Sequence, residues 1–261
     1  MPLNILCCVK RVPMTGGRIV LTADEQAIET RHLGFTISPH EECGVEEAVR
    51  IVEQHGGSST VLTLGPPEAE EQLRDAMALG IDRAILLRAD AELDGQATAA
   101  AILESIEAER AAGTEYDLIF FGNESADAGN YQVGIRIAHA LGRPCATGLK
   151  GIAVEDGALR CEQEVPGGRD VYRVPLPAVV TVKEGLNLPR YPSVPGRMRA
   201  KRKPLDTRSV SGAGAGVEKV RLVVPADQGK QAQILGHGPD AAPAVVEILR
   251  GAGVLYCASI T

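Results

Sequence analysis

The sequence predicts an α/β protein built on a doubly wound parallel sheet, extended by a β-hairpin and a C-terminal arm. Two observations carry that prediction. Short apolar runs without polar alternation (LNILCCV at 3–9, STVLTL at 59–64, AILLR at 84–88, LIFF at 118–121) have the texture of strands buried on both faces. Each is followed by a stretch in which apolar residues return every three or four positions. A β-α-β-α order of this kind selects a parallel sheet with helices on both sides, right-handed crossovers, and any ligand at the carboxyl ends of the strands. The 261 residues are 44% hydrophobic and 23% charged, with 3% aromatics and no tryptophan, so aliphatic side chains must fill the core.

Taken in order, the first strand (3–9) is broken by Lys10-Arg11-Val12-Pro13, and residues 18–30 alternate weakly, as a short hairpin would. Ser38 suits a helix cap, Pro39 the first turn, and Glu41-Glu42 the positive end of the helix dipole. Val45, Ala48, Val49 and Val52 form the inner face of that helix, and Gly56-Gly57 ends it. The second strand closes at Gly65-Pro66-Pro67; a helix over 68–80 turns Ala69, Leu73, Ala76 and Met77 inward. Another, over 94–110, carries Ala99, Ile102, Leu103 and Ile106. In 116–142 the fourth strand runs through a small polar loop into a helix starting near Asn130. Val133, Ile137, Ala140 and Leu141 recur at helical spacing, and Gly142 is the C-terminal cap. The pattern then changes to a hairpin about Asp156-Gly157, one or two strands in 171–183, and a Pro- and Gly-rich segment over 185–203. That segment ends in a basic cluster, Arg197, Arg199, Lys201, Arg202 and Lys203. Residues 209–217 read as a linker, 219–225 as strand-like, and 239–250 as a last helix with Val245, Ile248 and Leu249.

A net charge of −7 argues against a general nucleic-acid binder. No apolar run approaches the ~18 residues of a membrane span, and the N-terminus lacks the form of a signal peptide, so the expected location is cytoplasmic. The six cysteines show no CxxC pair and read as mostly buried, reduced thiols; the five histidines are scattered, and no metal site is expected.

There is no Walker A, GxGxxG, GxSxG or kinase-like signature. The loop 122–134 is therefore the leading candidate. A strand feeding a helix through such a turn aims backbone N–H groups at the sheet edge, where phosphates are commonly held, although the same unit also serves as a plain connection. Asp127 can cap the helix or accept a ribose hydroxyl or a backbone N–H; Gly129, Asn130, Tyr131 and Gln132 can offer N–H and side-chain donors to a phosphate. Ser38 and Asp127 would share one crevice. The basic cluster is either a seat for an anionic partner or a solvated strip.

Assembled, these residues resemble the β subunit of electron transfer flavoprotein over nearly the whole chain. The similar stretches are CVKRVP (8–13), VEEAVRI (45–51), LGPPEAEEQLRDAMALGIDRAILL (64–87), FFGNESADAGNYQVG (120–134) and, most specifically, NLPRYPSVPGRMRAKRKPL (187–205). The resemblance implies a Rossmann-like, adenine nucleotide-binding domain over 1–208, including a recognition loop at 184–203. It implies that 209–261 is a linker and an arm packing on a partner. The chain would be a non-enzymatic electron-carrier subunit in a heterodimer with an α subunit. That α subunit carries FAD in a mobile domain, and the pair shuttles electrons from dehydrogenases to a quinone-linked or similar acceptor. Carried over residue by residue, a structural AMP would contact Cys8, Ser38, Pro39, His40, Glu41, Leu64, Gly122, Asn123, Glu124, Ser125, Ala126, Asp127, Ala128, Gly129, Asn130, Tyr131, Gln132 and Val133. Leu186, flanked by Asn187 and Pro189, falls at the leucine that anchors family members in a dehydrogenase.

This chain departs from several members, which have acidic residues after the position of Asp127 and an asparagine before the glutamine. Here Ala128-Gly129-Asn130-Tyr131 stand instead, and His40 and Glu41 replace apolar or small residues. Two alternatives accompany the main reading. One is an electron-bifurcating β subunit with a second FAD in the AMP pocket; the other is a stand-alone adenine-nucleotide sensor.

Overall fold

In chain order the elements are β1 (Leu3–Val9), β2 (Val12–Pro13), β3 (Phe35–Thr36), α1 (Pro39–His55), β4 (Gly57–Gly65), α2 (Glu70–Leu79), β5 (Arg83–Arg88), α3 (Gly95–Ala111), β6 (Leu118–Gly122), α4 (Val133–Leu141), β7 (Cys145–Glu155), β8 (Ala158–Val165), β9 (Gly168–Pro175), β10 (Ala178–Val182), α5 (Val194–Ala200), β11 (Leu205–Ser209) and α6 (Ala242–Gly251). They are taken from a computed structural model that describes residues 2–16, 19–89, 92–210, 216–226 and 233–254. Residues 1–222 and 223–261 form two compact units, and α6 lies in the second.

The strand period of two explains β1. Leu3, Ile5, Cys7 and Val9 enter one apolar core with Val45 and Ala48 of α1 and Leu73 and Met77 of α2; Leu6 and Cys8 enter the opposite core with Ile102 of α3 and Ile137 of α4. Both faces are covered, so the strand needs no alternation of polar residues. The sheet order is β11-β5-β4-β1-β6-β10-β7-β8-β9. Pairing is parallel from β11 through β7 and antiparallel across β8 and β9. The chain winds outward from β1 through β4 to β5, then returns to lay β6 on the other side of β1. That reversal opens a crevice at the carboxyl ends of β4, β1 and β6.

Three details correct the sequence reading. Helix α4 starts at Val133, not near Asn130, because Tyr131 sits in the left-handed region (φ 56) and Gln132 is not helical (φ −125). Its buried stripe is Gly134, Ile137 and Ala138, which leaves Ala140 outside. Residues 219–225 form no strand, and the strand that does follow α5, β11, which the sequence did not reveal, pairs with β5 at the edge of the sheet. The weak alternation after residue 18 does form a short hairpin: Leu21 and Ile28 make an antiparallel bridge, and the Thr22 and Glu29 N–H groups donate to the Ala27 and Val20 carbonyls, both at 2.8 Å. Cys7, Cys8, Cys43 and Cys161 are buried and Cys145 is exposed; Cys257 lies outside the described residues.

Candidate functional site

The strand ends surround a cavity of about 320 Å³. Cys8 and Val9 of β1 with Lys10-Arg11, Leu64 and Gly65 of β4, Phe121 and Gly122 of β6 and Thr181 of β10 form its floor; the start of α4 and part of the loop before it form a wall. Of the residues expected from sequence, Cys8, Glu41, Leu64, Gly122, Asn123, Glu124, Ser125, Asp127, Asn130, Tyr131, Gln132 and Val133 line the cavity. Ala126, Ala128, Gly129, Ser38, Pro39 and His40 do not.

Glu41 reaches the cavity because α1 starts there. As the third residue of the helix it turns back, and its Oε2 accepts the Ser38 N–H at 3.1 Å. Gly122 makes room for it: a Cβ at that position would fall 2.7 Å from the Glu41 Cγ. Glu41 is 6% exposed. Burial pushes its carboxyl up to about 8, against the pull of the Lys10 and Ser38 backbone N–H groups.

Across the mouth, the Lys10 ammonium meets Asp127 at 2.5 Å. Burial works to raise the Asp127 carboxyl, yet bonds from Lys10 and the Ser125 hydroxyl hold it below the usual range. The Arg11 guanidinium stacks on Phe35, 3.3 Å from the ring centroid. Thr181 donates to Asn123 Oδ1 and accepts the Gly148 N–H, both at 3.0 Å, which fixes the start of the loop. His40 ties this wall to a distant segment. Its Nδ1 accepts the Glu184 N–H at 2.7 Å, which leaves the ring proton on Nε2 for Glu124 at 3.3 Å.

That distant segment, 184–203, is pinned to α1. The Arg190 guanidinium bridges the buried Glu46 and the exposed Glu53. Burial raises the Glu46 carboxyl, but Arg190 outweighs it and the net shift is downward. Asn187 Nδ2 donates to the Cys43 carbonyl at 3.0 Å and to Glu47 at 2.8 Å. Leu186 packs half-buried against the chain's own core, Pro189 is half-buried, and Leu188 (84%) and Tyr191 (95%) project into solvent. Within the basic cluster, Lys203 donates to the Met77, Gly80 and Ile81 carbonyls at the end of α2, and Arg197 pairs with Asp75 at 2.9 Å. Arg199, Lys201 and Arg202 are exposed.

A family model described as "Electron transfer flavoprotein domain" matches residues 27–213. The chain belongs to the electron transfer flavoprotein β-subunit family. It is 36% identical to the electron transfer flavoprotein subunit beta of Bacillus subtilis (strain 168) over 206 residues, 78% of each chain. It is 33% identical to that of Bradyrhizobium diazoefficiens over 260 residues, 97% of this chain and 100% of the relative. With that of Mycobacterium leprae it shares 35% over 226 residues, 84% of each. As an electron transfer flavoprotein β chain it is a component of electron transport, and no helix among its described residues is long and apolar enough to cross a membrane.

Several cavity residues escaped the reading of this β chain's sequence. Ala89, Glu92 and Leu93 follow β5, and Thr98 and Ile102 stand on α3. The rule that ligands sit beyond the carboxyl ends of parallel strands, applied to β5 as it was to β1 and β6, would have found the first three. Thr181 offered no such signal, because nothing in the sequence inserts β10 beside β6.

Proposed function

We propose that this chain is the electron-carrier β subunit of a heterodimer, holding AMP as a structural nucleotide and docking a dehydrogenase through residues 184–203. The observation that carries the reading is the cavity at the strand reversal beside β1, where doubly wound sheets receive nucleotides. Its volume of about 320 Å³ stands at the lower end of the roughly 300–1,000 Å³ of small-molecule sites. That suits a mononucleotide better than FAD, which adds a second phosphate, a ribityl chain and a three-ring flavin. Asn130, Gln132 and the N–H groups opening α4 would face the phosphate, and Cys8, Glu41, Leu64 and Phe121 would enclose the base and ribose.

The redox chemistry belongs to FAD on the α subunit; this chain makes and breaks no bonds. Its part is to present a rigid platform in the cytoplasm between dehydrogenase donors and a quinone-linked acceptor. Exposed Leu188 and Tyr191 beside Leu186, Asn187 and Pro189 give the docking segment apolar projections of the kind that dominate interface energy. The exposed Val245, Val246 and Ile248 of α6 support a C-terminal arm that packs on the α subunit.

Co-expression with an electron transfer flavoprotein α subunit tests the assembly: a yellow one-to-one complex on size exclusion is expected. A chain that stays monomeric, binds ATP reversibly and never retains a flavoprotein would be a sensor instead.

A further inference from the structure

Four acids line the cavity, and three have side-chain partners. Asp127 meets Lys10 at 2.5 Å, Glu124 meets His40 at 3.3 Å and Glu92 meets Lys219 at 2.7 Å. Glu41, the most deeply buried of them, forms no hydrogen bond or ion pair with any side chain among the described residues; only backbone N–H groups hold it. The missing Cβ of Gly122 gives it its space. A carboxyl placed this way on a cavity wall, with capacity left over and no ion-paired side chain among the described residues, is placed for a ligand.

We propose that Glu41 reads the base of the bound nucleotide: carrying its proton, it presents an O–H donor beside a C=O acceptor, the complement of the N1 acceptor and N6 amino donor of adenine. This rests on the nucleotide-binding reading above and adds to it the residue that selects the base. Guanine offers two donors, N1–H and the 2-amino group, on the corresponding edge. Held in the adenine pose, it sets N1–H against the O–H of protonated Glu41 and O6 against its C=O, two mismatches, whereas its N1–H and 2-amino donors together pair best with the ionised carboxylate. A site built to hydrogen-bond one edge discriminates against the other because a buried polar group is left unpaired.

The surroundings keep the titration simple. From β1, Cys7 and Cys8 face Glu41, and burial first, then neighbouring charge, lifts both thiols far above their ordinary range, so they stay neutral. Lys10, just after β1, and Asp127, after β6, neutralise each other; His40 is committed to Glu124 and the Glu184 backbone. The Glu41 carboxyl, at about 8, is thus the group that changes charge in mildly alkaline solution.

Calorimetry on the purified chain, or on its complex where one forms, after removal of endogenous nucleotide, tests this with AMP and GMP between pH 7 and 9.5. The ligand phosphate is already dianionic throughout that range. AMP affinity should fall about tenfold per pH unit beyond the Glu41 transition, while GMP gains on it. Glu41→Gln, whose amide keeps one donor and one acceptor but cannot ionise, should hold AMP within about threefold of wild type at pH 7 with a flat profile. Glu41→Ala should lose about tenfold. A flat wild-type profile, or a Glu41→Gln variant that keeps the slope, overturns the role of Glu41 and leaves the AMP site standing. A folded wild-type chain that binds no nucleotide at any pH overturns both.

Discussion

At the scale of single residues, the site depends on a pairing of one large and one absent side chain. Gly122→Ala puts a methyl against the Glu41 Cγ and should destabilise the fold by about 1–3 kcal/mol, the usual range for overpacking. Glu41→Ala in the same chain should recover part of that loss, since the two changes share one space. Urea titration of the single and double variants measures the coupling, and strictly additive effects would refute the steric account. Some of this was legible beforehand. Glu41 was visible as an acid in the first turn of a helix, because capping and dipole preferences are local. Its socket was not, because Gly122 lies 81 positions away and only the folded sheet brings β6 beside α1. Asp127 shows the same limit: the sequence offered it as a cap, a ribose acceptor or an acceptor of a backbone N–H, and the fold gives it the Ala128 N–H at 2.6 Å together with the Lys10 ammonium, which no local pattern pointed to.

At the scale of elements, segment 184–203 holds its shape through ion pairs with α1. Arg190 forks between Glu46 and Glu53, and Glu46 is 1% exposed. Arg190→Ala leaves that buried carboxylate without its main partner. The amides of 186–191 should then exchange with solvent roughly tenfold faster or more, with those of α3 unchanged, and under the docking role proposed for this segment electron uptake from a dehydrogenase should slow. Equal protection in variant and wild type, read by hydrogen exchange and mass spectrometry, would show that the fork does not order the segment. The elements that sequence periodicity found were those whose own residues carry the signal, such as α1, α2 and β6. It missed β11, whose LDTRS run looks like loop and becomes a strand only because β5 offers a free edge. It placed the start of α4 too early because a left-handed Tyr131 cannot be read from letters.

At the scale of the whole molecule, the doubly wound sheet was legible because strands buried on both faces leave continuous apolar runs, and β1 shows this in seven residues. The insertion of β10 between β6 and β7 was not, since it depends on where the chain goes after the β8–β9 hairpin rather than on the composition of AVVTV. The reversal beside β1 shapes the cavity, and the proposal of a mononucleotide in it carries a consequence for the whole assembly. The most direct test is to purify the heterodimer, denature it and identify the released nucleotides by mass. One FAD and one AMP per heterodimer is the predicted result. Two FAD and no AMP would contradict it.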